Sequence, residues 1–137
     1  MHHSTSAIHL KFNSTLNRLL WLLPLLFVAF SCSPKITETG NASYYSDKLS
    51  GNKMANGDKY RPYKKTAAHK TLPFGTKVKV TNLKTGKSVK VTITDRGPYA
   101  KGRVIDLSRK AAKKIDMMQA GVVPVKIKVI KPVKGKK

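Results

Sequence analysis

The sequence is short of cysteine, of acidic residues and of aromatics, and each shortage narrows what it can be. One residue of 137 is cysteine, Cys32, so neither an intramolecular disulfide framework nor a multi-cysteine zinc site can be built. Six residues are acidic against 28 Lys+Arg, a formal charge of +22. That excludes an ordinary near-neutral cytosolic enzyme and points to an anionic partner or surface. Four Phe, five Tyr and one Trp are too few for the stacking surface of a single-strand binder, so no nucleic-acid partner is expected. No apolar run reaches the ~20 residues of a membrane helix. Phosphate-loop, His-x-x-x-His, paired-cysteine and nucleophile-elbow patterns are all missing, so no cofactor and no metal are expected. A chain of this length holds one domain.

What is present begins with a leader. Leu19 to Phe30 reads LLWLLPLLFVAF, the length of a secretory h-region, and Ala29-Phe30-Ser31-Cys32 follows as a lipoprotein-type cleavage site. The expectation is a signal peptide over 1–31, acylation of Cys32, and a polar tether over 32–39. Acyl chains would anchor the domain to a membrane. Ser33, rather than Asp, fits sorting to the periplasmic face of the outer membrane. Removing the leader leaves a charge of +20 and a single histidine, His69. The six acids are Glu38, Asp47, Asp58, Asp95, Asp106 and Asp116.

Along the remaining chain, Asn41 to Ser46 predicts a first strand, and 47–65 a long structured loop rich in Gly, Asn, Lys, Asp and Pro. Thr76 to Thr81 and Lys87 to Thr94 alternate around a turn at Asn82–Gly86 and predict a hairpin. Its valines and Ile93 share one face, and Lys79 and Lys90 the other. Arg103 to Asp106 reads as a short extended piece. Leu107 to Ile115 reads as one helix, with Ser108 as N-cap and Lys113 and Lys114 at its C-terminal end. Val122 to Ile130 alternates again, and a basic tail closes the chain at 132–137. Short alternating strands with one short helix predict a mainly β fold, a small closed barrel acting as a monomer.

Six ordered blocks carry a resemblance. They are GNASYYS (40–46), MANGDKY (54–60), TAAHKTLPFGT (66–76), VTNLKTGK (80–87), DRGPY (95–99) and RVIDLSRKAA (103–112). Together they resemble the rare lipoprotein A (RlpA) family of septal-ring lytic transglycosylases. The resemblance implies a six-stranded double-psi β-barrel over 40–131, the fold shared with expansins and barwin-like proteins. It implies a peptidoglycan substrate cleaved to 1,6-anhydro ends by attack of the sugar's own 6-hydroxyl. Many members add a peptidoglycan-binding SPOR domain, for which residues 132–137 leave no room.

The resemblance also implies which residues act. The acid of the A-N-G-acid block is Asp58, and the histidine of T-A-A-H is His69. Asp95, opening D-R-G-P at a strand end, is the third catalytic candidate. The family usually has Glu at the first of these positions, and Asp sets the carboxyl on the order of 1 Å further back. A misplacement of that size costs roughly 100-fold in rate. The surrounding positive charge disfavours a protonated Asp58, which favours His69 as the proton carrier. Tyr44, Tyr45, Asn56 and Arg96 are the substrate-binding candidates, the tyrosines by stacking on sugar faces. Asp106 reads as a helix cap, and Glu38, Asp47 and Asp116 as solvated. The alternative reading is a non-catalytic, expansin-like barrel that binds the wall.

Overall fold

The computed structural model describes residues 36–133. The predicted signal peptide over 1–31, the acylation site Cys32 and residues 134–137 of the tail lie outside them. Six strands form in chain order: β1 Thr37–Tyr44, β2 Thr66–His69, β3 Lys77–Asn82, β4 Ser88–Asp95, β5 Arg103–Leu107 and β6 Val123–Lys131. One helix, α1 Arg109–Lys114, and a 3-10 turn at Asp47–Leu49 complete the regular structure of the described residues. β1 opens at Thr37, four residues before the expected start, so 37–39 are strand and not tether.

The strands close in the order β1-β5-β2-β4-β3-β6. β1–β5 and β2–β4 are parallel pairs and the rest antiparallel. Alternation sets the inside of the barrel. Val78, Val80, Val91, Ile93, Ile105, Leu107, Val125 and Ile127 are buried there, while Lys79 and Lys90 face out. Gly40 lets β1 and β5 approach: a Cβ at this position would lie 2.4 Å from Val104 Cγ1. β2 was not visible in the alternation pattern because all four of its residues are buried. A short strand covered on both faces has no polar side to show.

Ser108 caps α1, its side chain accepting from the Ala111 N–H. Ala111, Ala112 and Ile115 press the helix onto the barrel. Buried Asn82 fastens the helix end, donating to the Ile115 carbonyl at 2.8 Å and accepting from Lys84 N at 2.9 Å. The long loop is a small docked hairpin. Lys53 bridges Lys59, Tyr60 N donates to Asn52 O, and Met54 N donates to Asp58 O. Met54 and Tyr60 anchor it in the core, and Ala55-Asn56-Gly57 form its tip. Gly57 has φ +94°, the left-handed conformation that such a tight turn needs.

Candidate functional site

The site is organised by the end of β4. Asp95 Oδ1 accepts from Ala55 N at 2.8 Å and from Arg96 N at 2.9 Å, and Oδ2 accepts from the Tyr45 hydroxyl at 2.7 Å. Asn56 N donates to Thr94 O alongside. The Asp95 carboxylate therefore seats the tip of the 52–60 hairpin on the barrel. Asp58 sits in that tip, held as an Asx turn: its N–H donates to Asn56 Oδ1, and its Oδ2 accepts from Asn56 Nδ2. The Asp58 side chain is exposed to solvent, and Asn56 is spent on holding it.

Arg96 departs from its expected role as a substrate ligand. Its Nη1 donates to the carbonyls of His69 and Leu72, and its guanidinium lies 3.9 Å from the Phe74 ring centroid. It clamps the 69–74 segment to the end of β4. His69 is 4% exposed, and both ring nitrogens are engaged. Nδ1 accepts from Thr71 N and Leu72 N, which places the proton on Nε2. Nε2 in turn donates to Glu38 Oε2 at 2.8 Å. Glu38, expected to be solvated, is thus the partner of the histidine. Nothing in the spacing of two residues 31 apart could have announced it.

The tyrosines also divide. Tyr44 packs against the core and donates its hydroxyl to the Met118 carbonyl at 3.1 Å. Tyr45 lies against Tyr60, with ring centroids 4.9 Å apart, and reaches Asp95. Tyr45, Leu49, Asn52, Lys53, Met54, Tyr60 and Asp95 line one cleft of about 160 Å³.

A second carboxylate stands in the same register. Ala68 pairs with Asp95 on one side and Asp106 on the other, and Asp106 pairs with Ser43. Asp95, Ala68, Asp106 and Ser43 form one row across β4, β2, β5 and β1. Ala68 puts only a methyl between two carboxylates about two strand spacings, roughly 10 Å, apart along the backbone. Asp106 accepts from Ser43 Oγ and lies 3.9 Å from Arg103 Nε. It does not cap α1, because Ser108 does. Burial, followed by the hydrogen bond to and charge of Asp95 and then the charge of Asp106, pushes the Tyr45 hydroxyl far above its usual 10.0. Tyr45 therefore stays protonated and stays a donor to Asp95.

A closed six-stranded barrel in which two parallel pairs are set among antiparallel ones is the architecture of a double-psi β-barrel. Solved structures agree. The Streptomyces papain inhibitor superposes with a TM-score of 0.57 at 25% identity, over 70% of this chain and 96% of that one. A Clavibacter michiganensis expansin gives a TM-score of 0.56 at 24% identity, over 73% of this chain and 53% of its own. The family model described as "Lytic transglycolase" matches residues 37–127, and the chain belongs to that family. The endolytic peptidoglycan transglycosylase RlpA of Vibrio cholerae is 52% identical over 99 residues, 72% of this chain and 38% of that protein. Its counterpart in Campylobacter jejuni is 48% identical over 94 residues, 69% and 34% respectively. The chain spans little more than a third of the length of these relatives.

The Tyr45 shift predicts a pH dependence of stability. A folded-state pKa above the unfolded one makes the folded form hold the proton longer, so the contribution is complete below about pH 10 and falls above it. Urea unfolding near pH 8 and near pH 11 should show wild type losing more stability than Tyr45→Phe over that interval. An unchanged difference between the two proteins would contradict the assignment.

Proposed function

We propose that this barrel cleaves peptidoglycan glycan strands as an endolytic lytic transglycosylase, with Asp95 as acid and base. The observation that carries the reading is the convergence of three donors on Asp95 beside an open cleft, in a barrel that matches the RlpA relatives over most of its length. The structurally similar Clavibacter michiganensis expansin, solved with cellohexaose, adds support for a glycan ligand on this fold.

The chemistry needs one proton carrier. The Asp95 carboxylate, the form that its three donors hold, takes the proton of the sugar's own 6-hydroxyl as that oxygen attacks C1. It passes that proton to the glycosidic oxygen as the C1–O bond breaks and the 1,6-anhydro ring closes. No water is consumed and the carboxyl ends as it began. Tyr45 holds Oδ2 and stays neutral, so it orients the carboxyl without adding charge. Asp106, in the same row, adds negative potential where the sugar ring becomes positive. Asp58, at the hairpin tip, contacts the strand, and its short side chain limits that contact. His69 acts as a positioning residue: with Glu38 it fixes the 69–72 turn whose carbonyls Arg96 grips.

Naked glycan strands incubated with the protein should yield fragments with 1,6-anhydro ends by mass spectrometry. Asp95→Asn should lower the rate about 100-fold or more. Asp58→Glu, which restores the longer reach, should raise it. Binding to sacculi with no such ends would instead support the wall-binding, expansin-like reading.

Export and acylation complete the proposal. The leader and Cys32 would hold the barrel as a monomer at the periplasmic face of the outer membrane. Labelled palmitate should enter the wild-type chain in bacterial cells and not Cys32→Ser; equal labelling of both would rule out Cys32 as the acylated residue.

A further inference from the structure

Every carboxylate side chain is engaged. Glu38 meets His69, Asp47 meets Arg109, Asp58 meets Asn56, Asp106 meets Ser43 and Asp116 meets Lys87, while Asp95 holds the hairpin. None lies on the outer face of β4, β3 and β6. That face carries lysines in register. Lys90 stands opposite Lys79, Lys79 opposite Lys128, and Lys77 opposite Lys131, with Lys126 two residues before Lys128. All six are exposed, and their ammonium groups form no ion pair among the described residues. With strands about 4.8 Å apart and same-face residues about 6.8 Å apart, six charges fall within an area roughly 10 Å by 15 Å.

Two ordinary explanations do not fit. Lysines blunt the exposed edge of an open sheet. This barrel is closed, and β3 and β6 are paired on both sides. Nor do the lysines assist folding, because like charges directly opposite one another weaken a sheet.

The surroundings indicate the partner. Beyond Lys126 and Lys128, the next outward residue of β6 is Ile130, 40% exposed. Val133 is 44% exposed and shares a cleft with Gly75, Lys77, Ile130 and Lys131. A soluble polyanion would meet the lysines and gain nothing from the aliphatics. A bilayer surface takes both, phosphates against ammonium groups and aliphatics against the acyl boundary. We propose that the outer face of β4, β3 and β6, with its Ile130 and Val133 rim, docks the barrel on an anionic phospholipid bilayer. This docking is independent of the chemistry at Asp95 and needs no acyl chain.

The test is sedimentation of the full chain with vesicles of phosphatidylcholine alone, or with one-third phosphatidylglycerol. Comparing the two compositions cancels any affinity of the apolar leader. Wild type should bind the anionic vesicles at least tenfold more tightly, and high salt should erase the gain. The Lys79→Gln, Lys90→Gln, Lys128→Gln triple variant should lose most of it, since each lysine at such a surface is worth about fivefold. The Lys110→Gln, Lys113→Gln, Lys114→Gln variant removes the same charge from α1 and should keep it. Equal losses in both variants, or retention in the first, would overturn the proposal. So would loss of soluble polyphosphate binding by the first variant with vesicle binding intact, which would make the face a polymer site. The first variant should still cleave glycan strands in solution and unfold no earlier than wild type, which separates docking from catalysis and from misfolding.

Discussion

Two segments distant in sequence from β4 meet on the carboxylate at its end. Asp95 takes the Tyr45 hydroxyl from the chain just after β1, the Ala55 N–H from the docked hairpin, and the Arg96 N–H from its own turn. Arg96 extends the hub by gripping the carbonyls of His69 and Leu72. Without Asp95 the hairpin would keep its Met54 and Tyr60 anchors and the Asn56 N bond to Thr94 O, but lose the side-chain acceptor beneath its tip. The cleft between hairpin and barrel is therefore a consequence of one side chain's acceptor positions being filled.

The remaining acids follow a related logic. A chain with so few carboxylates spends each of them on a defined partner. Two occupy the row through Ala68, and one orients the buried histidine. The positive charge is sorted in the opposite sense, onto the outside of the antiparallel strands, where no acid offsets it. The proposed sites for chemistry and for docking are thus separated by sign as well as by position.

The barrel was largely legible because alternation is a local signal. Val78, Val80, Val89, Val91 and Ile93 announce β3 and β4, and the strand bounds differ by a residue or so from those expected. β2 was not legible in this way, since Thr66–His69 is buried throughout and lacks a polar phase. Of the site, Tyr45 and Asp95 could be singled out from sequence, but their bond could not. From sequence, Glu38 reads as solvated and Asp106 as a cap. Both act through partners that only barrel closure brings near: His69 lies 31 residues from Glu38, and Ser43 lies 63 from Asp106. Arg96 was legible as a site residue but not as a clamp, because its ligands are backbone carbonyls that carry no sequence signature.

A glycan strand is proposed to lie along the Asp95 cluster. Amide chemical-shift mapping of the protein titrated with short naked glycan strands tests it most directly. Perturbations should concentrate on 53–58, 69–72 and 94–97 and at Tyr45, and Asp95→Asn should keep the binding pattern while losing most of the cleavage. Perturbations confined to the outer faces of β3, β4 and β6, with the Asp95 segment unmoved, would contradict it.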